Sequence, residues 1–388
     1  MMQKTRLYIG LVLLLLTGNV WGQAPVLTGA DQPERYVPLL ANKKVAVMVN
    51  PTSMVGNIHL VDKLLSSGVK VVKIFSPEHG FRGDADAGET IKHETDAKTG
   101  LPAVSLYGNN KKPTREQLKD VDVIVFDLQD VGTRFFTYIS SMHYLMQACA
   151  DYGKELLILD RPNPNGYYVD GPIMQARHKS FVGMHPIPIV HGLTVGELAQ
   201  MINGEKWLDS NKTCSLTIVP VKNYSHTTPY TLPVRPSPNL PNQLSIQLYA
   251  SLCLLEGTVM SVGRGTEAPF QLYGAPKPEY GSFQFTPTKS FGAKNNPLYE
   301  NKVCYGVDLR TQTPPDGLSL RYLIEAYQKS PEKEKFFNNF FPKLAGNTVL
   351  QEQIKQGMSE AEIKKTWEAD LVKYKAMRKK YLLYKDFE

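Results

Sequence analysis

Several kinds of chemistry are excluded by what the chain lacks. It has only four cysteines, Cys149, Cys214, Cys253 and Cys304, and no two of them form C-x-x-C. That spacing rules out zinc ribbons and thioredoxin-type redox motifs. Cys149 and Cys253 sit among apolar residues at helical spacing, which predicts free buried thiols rather than a disulfide. No H-E-x-x-H and no G-x-S-x-G occurs, and the Ser261-Val262-Gly263 turn lacks the strand–elbow–helix setting of a serine nucleophile. The first strand-like run is not followed by G-x-G-x-x-G, so no dinucleotide is expected, and no other cofactor is indicated. Lysine and arginine form no long block. With 44 basic and 37 acidic residues the formal charge is +7, two less if Lys4 and Arg6 are cleaved off. An excess so small and dispersed argues against a nucleic-acid partner, but it is compatible with an anionic extracellular polymer.

Long apolar runs are also missing. The longest, Ile9 to Leu16, is shorter than the roughly 20 residues a spanning helix needs. It comes after Lys4 and Arg6 and precedes Val20-Trp21-Gly22, where small residues stand at the −3 and −1 positions of a cleavage site. Residues 1–22 therefore read as a secretory signal peptide. No cysteine lies near the cleavage point, so no membrane anchor is expected, and the mature chain would be periplasmic or secreted. The remaining composition, 42% hydrophobic and 21% charged, is that of an ordinary globular protein.

Short β-branched runs punctuate the first half. Val45–Val49, Val71–Phe75, Val104–Tyr107, Val121–Phe126, Leu156–Leu159 and Leu216–Val221 are too short for helices and too apolar for strands with a wet face. Helical spacing separates several of them, over His59–Ser66, Thr137–Tyr152 and Thr194–Leu208. Alternation of this kind predicts an α/β fold with a parallel sheet, Rossmann-like in architecture. Five prolines between Pro229 and Pro241 mark a change of composition. We place the boundary there, with residues 23–230 as the Rossmann-like catalytic domain and 231–388 as a smaller auxiliary domain. A helix over Ser319–Lys329 and a final helix complete the chain. The final helix opens on a Ser359/Glu362 capping box and carries an Ile363, Trp367, Leu371, Tyr374, Met377 stripe.

The strand ends carry the chemistry. Ser76-Pro77-Glu78-His79-Gly80 comes directly after the second strand, and ligands of open α/β sheets sit outside the carboxyl ends of the strands. Asp127 and Asp130, with Gln129 between them, stand after the fourth, and Asp160 after the fifth. Two carboxyl groups roughly 5–5.5 Å or roughly 6.5–9.5 Å apart are what glycoside hydrolysis requires. One of them must hold a proton near neutrality, and Glu78, beside Phe75 and Phe81, is the candidate. Asp127 and Asp160 read equally well as helix caps. Arg82, Arg134, Arg161 and Arg264 adjoin these motifs and suit a substrate that carries an acid. Tyr107, Phe135, Tyr138 and Phe270 can wall a sugar ring. A metal site is the competing reading, with His79, Asp84, Asp86 and His93 as N/O ligands. The run Asp84–Glu89 misses the calcium-loop pattern because its glycine comes one place early. We therefore expect no metal.

The motifs Ser76–Gly80, Asp127–Arg134, Asp160–Pro164, Pro236–Pro241, Glu256–Thr258, Gly263–Glu267 and Tyr381–Tyr384 together resemble the exo-β-N-acetylmuramidase (NamZ-type) family, through essentially the whole mature chain. The resemblance implies a Rossmann-like N-terminal domain, a smaller α+β C-terminal domain and an active site in the cleft between them. It implies release of N-acetylmuramic acid from the non-reducing ends of peptidoglycan fragments, in cell-wall turnover. Glu78 takes the place of the family's motif glutamate, with His79, Asp127 and Asp130 as further catalytic candidates. Arg82, Gln129, Arg134, Tyr138, Asp160, Arg161, Asn163, His191, Asn239, Glu256, Arg264 and Glu267 are candidates for binding substrate, and Glu256 and Glu267 also stand as candidates for the second catalytic carboxyl. The 2-acetamido group of the sugar is an alternative nucleophile. A sugar-binding protein without turnover and a metal-dependent hydrolase of another bond are the competing functions.

Overall fold

A computed structural model describes residues 24–78, 80–81, 94–290, 292–293 and 297–388. The leader-like segment and the proposed metal ligands His79, Asp84, Asp86 and His93 lie outside these residues, as does Arg82.

The β-branched runs form one seven-stranded sheet. In chain order its strands are β1 (Val45–Val49), β2 (Val71–Ser76), β3 (Glu94–Thr95), β4 (Pro102–Ser105), β5 (Val123–Asp127), β6 (Glu155–Leu159) and β7 (Ser215–Val219). Their spatial order is β3-β4-β2-β1-β5-β6-β7. Six strands are parallel, and the two-residue β3 runs antiparallel at the edge. Every residue of β1 and β5 is buried, because helices cover both faces of the sheet centre, as the near-continuous apolar runs require. The direction of winding reverses between β1 and β5, which makes their carboxyl ends the topological switch point.

The helix α1 (Leu60–Ser66) joins β1 to β2. The fifteen-residue α2 (Tyr138–Tyr152) joins β5 to β6 and ends on Gly153 at φ 64°. The third, α3 (Val195–Gly204), starts from a Thr194/Glu197 capping box. Beyond the proline loop come α4 (Gln243–Leu252), a three-stranded antiparallel sheet of β8 (Leu272–Ala275), β9 (Phe283–Phe285) and β10 (Cys304–Asp308), and α5 (Arg321–Lys329). The final predicted helix is two helices, α6 (Glu360–Lys365) and α7 (Glu368–Arg378). The break has a local cause. The Thr366 hydroxyl bonds back to the Ile363 carbonyl at 2.7 Å, and the Trp367 indole N–H is drawn to Asp170 at 3.1 Å. Side-chain bonds of this type compete with the helix ladder. The predicted apolar stripe still packs inward, since Ile363, Trp367, Leu371 and Tyr374 are buried. A single core cluster runs from Ala46 to Tyr374 and takes in residues on both sides of the proline loop. All four cysteines are free and buried.

One core feature has a pH consequence. His143 of α2 and His185 are buried and 3.1 Å apart through Nδ1 and Nε2, with His185 stacked on Trp207. Burial pulls His143 down to about 4 from the ordinary 6.5, helped by the Lys179 charge. Between these values the unfolded chain binds a proton that the folded chain refuses, so stability rises with pH across the window and falls on acidification. The His143 contribution is about 3 kcal/mol when fully lost. Urea unfolding at about pH 7.5 and about pH 5 should show wild type losing more stability than His143→Gln. Equal losses would remove His143 as the cause.

Candidate functional site

The switch point itself is closed by hydrogen bonds. Thr52 Oγ1 accepts from the Gln129 N–H at 3.1 Å, and the Ser53 hydroxyl donates to the Asp127 carbonyl. Asp127, the last residue of β5, is fully buried and bound side-on by Arg161, at 2.5 Å from Nε and 2.9 Å from Nη2. Arg161 stands just past the end of the neighbouring β6, so parallel pairing alone brings the two together. The Asp127–Arg161 pair therefore does not join the site as catalytic acid and substrate cation. Each neutralises the other inside the protein.

The open space lies one strand over. A cavity of about 370 Å³ opens between the carboxyl end of β2 and residues contributed from beyond the proline loop, a volume within the range of small-molecule sites. Glu78 reaches it directly from β2 after Pro77 has ended the strand. It is half-buried, and its Oε2 accepts a 3.2 Å hydrogen bond from Thr137, the residue that precedes α2. Phe135 and Phe136 of the β5–α2 connection and Tyr138, the first residue of α2, line the cavity, and Tyr107 lines it from beyond β4. Phe136 packs edge-on against Tyr138 and Tyr249, with centroids 4.8 and 6.0 Å away. The Tyr138 hydroxyl accepts from Asn50 Nδ2 at 2.9 Å and donates to the Pro236 carbonyl at 3.2 Å. Burial, reinforced by the Glu78 charge, pushes this phenol well above its ordinary range, so it stays protonated and fixes the wall.

The lining continues with α4 and the turns that succeed it in the chain. Tyr249 and Cys253 lead into Glu256, whose carboxylate holds Arg264 at 2.6 Å on Nε and 3.2 Å on Nη2. The guanidinium lies 5.0 Å from the Phe270 ring centroid. Glu78 and Glu256 are the two carboxyl groups, and Arg264 the one guanidinium, among the described residues that line the cavity.

The other sequence candidates serve the scaffold. Asp160 is fully buried and accepts from Thr194 Oγ1 at 2.7 Å, the Gly196 N–H at 2.8 Å and Tyr384 at 2.5 Å. It caps α3, the alternative that the sequence left open. Gln129 donates to the carbonyls of Asp130 and Pro162. Asn163 bridges the Leu193 carbonyl and the Asn165 N–H. Asp130 turns its own loop by accepting from the Gly132 N–H at 2.7 Å, and His191 Nε2 stands 3.8 Å from it. Neither lines this cavity. Arg134 is fully buried and donates to four carbonyl oxygens. Asn239 stands one step behind the wall and holds the cavity-lining Gly292 through its carbonyl at 2.8 Å. Glu267 is exposed and does not line the cavity. Among the described residues no group of three His, Cys, Asp or Glu side chains is placed to hold a metal ion.

Sequence reasoning passed over Thr137, Phe181, Tyr249 and Phe340, all of which line the cavity. Thr137 carried a signal, since it opens the predicted helix directly after a strand-end loop. Phe181 and Phe340 lie in stretches with no periodicity to mark them.

A strand-end glutamate and a Glu–Arg pair line one aromatic-walled cavity at the carboxyl end of an α/β sheet, an arrangement compatible with a sugar-cleaving enzyme. Comparison with known proteins agrees. The N-terminal model of the exo-beta-N-acetylmuramidase NamZ family matches residues 45–244, and its C-terminal model matches residues 247–384. The peptidoglycan beta-N-acetylmuramidase NamZ of Bacillus subtilis (strain 168) is 38% identical over 394 positions, covering 92% of this chain and 91% of its own. Two DUF1343 family proteins of Bacteroides fragilis NCTC 9343 have similar crystal structures. One is 49% identical with a TM-score of 0.87, over 94% of this chain and 100% of its own. The other is 30% identical with a TM-score of 0.78, over 93% and 99%. The chain belongs to the NamZ exo-beta-N-acetylmuramidase family, and it is a glycosidase.

Proposed function

We propose that this chain removes N-acetylmuramic acid from the non-reducing ends of peptidoglycan fragments in cell-wall turnover, with Glu78 as the general acid or acid/base. The observation that carries this reading is the delivery of Glu78, alone of the described strand-end acids, into the aromatic cavity. Asp127 and Asp160 are taken up by internal partners. Glu78 gives its proton to the glycosidic oxygen as the bond to the anomeric carbon breaks, and the shortened glycan leaves as an alcohol. Water adds its hydroxide to the anomeric carbon, and its remaining proton restores the acid. Aromatic faces hold the apolar side of the ring and keep bulk water out. The leader-like residues 1–22 support an exported enzyme, periplasmic or secreted.

The test is the product. Glycan fragments ending in N-acetylmuramic acid should release that monosaccharide, read by mass spectrometry, while fragments capped by N-acetylglucosamine should stay intact. Internal cleavage, or tight binding with no release, would overturn the proposal.

A further inference from the structure

We propose that Arg264, clamped by Glu256 and seated over Phe270, reads the carboxylate of the substrate sugar and so selects muramyl over glucosaminyl residues. This rests on the proposed muramidase activity and deepens it. The two sugars differ by one group, a lactyl ether whose carboxylate is ionised at neutral pH, where the glucosaminyl sugar carries a neutral hydroxyl. A guanidinium, which binds a carboxylate bidentately, is the group best suited to separate them. Of the arginines marked by the sequence and described in the structure, Arg134 and Arg161 are consumed by carbonyls and by Asp127. Among the described lining residues Arg264 is the one lysine or arginine.

Its geometry suits the task. Glu256 occupies the Nε–Nη2 edge, at 2.6 and 3.2 Å. A guanidinium has five N–H donors in a planar fork, and its Nη1–Nη2 edge can take a second carboxylate bidentately. The side chain retains 30% of its exposure and Glu256 22%, so the pair meets the cavity without being sealed. Its orientation is fixed from below, because the Phe270 ring supports the cation at 5.0 Å and packs edge-on against Tyr249 at 4.8 Å. Phe270 itself holds φ at 55°. A bulky residue rarely adopts that backbone conformation, and such strain concentrates at ligand sites. Gly263 and Gly265, at φ 79° and 83°, let the loop turn sharply on either side of Arg264.

The experiment is equilibrium binding of free monosaccharides to the full chain by calorimetry. Three ligands are compared, namely N-acetylmuramic acid, its lactyl methyl ester and N-acetylglucosamine. Wild type should prefer the acid by roughly tenfold or more, and the ester should bind like N-acetylglucosamine. Arg264→Met should weaken the acid by roughly 10–100-fold and leave N-acetylglucosamine within about threefold. Arg264→Lys, with a point charge and no fork, should recover only part of the preference. If wild type prefers the acid and Arg264→Met keeps that ratio, or weakens all three ligands alike, Arg264 is not the reader while the muramidase reading stands. If the ester binds as well as the acid, the carboxylate is not read at all. If wild type shows no preference for muramyl sugar, both the assignment and the reading beneath it fall.

Discussion

Glu78→Gln lowers kcat by about 10³-fold, within the range that a positioned acid or base supplies, and leaves the affinity for the monosaccharide product nearly unchanged. The amide has the shape of the carboxyl and can still accept from Thr137, whose hydroxyl donates to Glu78 Oε2 at 3.2 Å, but it has no proton to give. The loss should therefore fall on kcat rather than on binding. A second comparison separates acid catalysis from damage to the site. A glycan leaving group is a poor one and needs protonation, whereas a nitrophenolate departs readily without it. The variant should lose much more activity on the natural fragment than on a nitrophenyl glycoside. Near-wild-type turnover of the natural fragment would remove Glu78 from the chemistry. Equal losses on both substrates would assign it a role other than proton donation.

Arg134→Met destabilises the fold by about 4 kcal/mol, in the range for stripping one partner from a buried charged network. The Arg134 guanidinium donates to the carbonyls of Pro172 at 2.8 Å, Ile187 at 2.7 Å, Leu344 at 3.0 Å and Ala345 at 2.8 Å. The last two end the short helix Phe341–Ala345, whose terminal carbonyls have no partner within the helix. Gly346, at φ 77°, lets the cation come close, because a Cβ there would stand 2.7 Å from Nη2. Burial pulls this guanidinium down to about 9, so it remains charged at neutrality. Arg134 sits in the connection that carries Phe135 and Phe136, and Leu344, from beyond the proline loop, lines the same cavity. One side chain thus ties two cavity walls together. Urea unfolding checks the size of the effect. A loss under about 1 kcal/mol would mean that water replaces the guanidinium freely. Arg134→Lys should fall between wild type and Arg134→Met, since an ammonium cannot span four acceptors.

Arg134 also shows where sequence reading reaches its limit. An arginine in a loop after a strand, in a chain with an acidic-sugar substrate in view, reads as a substrate ligand. Its acceptors lie as far as 211 residues along the chain, and backbone carbonyls leave no trace in residue identity. Asp127 and Arg161 present the same difficulty at shorter range. They are separated by 34 residues, each looks like a site residue, and their mutual neutralisation depends on β5 and β6 being neighbours in register. Asp160 could be read either way, and Thr194, Gly196 and Tyr384 settle it as a cap. Glu78 was legible because the signal was local. Four apolar residues in a run of five, Val71–Phe75, then a proline and an acid, define a strand end and what stands on it.

The amino-acid order alone determined the layered α/β architecture, the six parallel strands to within about two residues, and the arrival of Glu78 at a strand terminus, but not the edge strand β3 or the strands β8 and β9. These stem from burial on both faces of a parallel sheet and from the stiffness of proline, which act over a few neighbouring residues. Only the tertiary structure decided which charges face the cavity and which face one another. A buried ion must find a partner wherever packing puts one, and that choice is made between segments far apart in the chain.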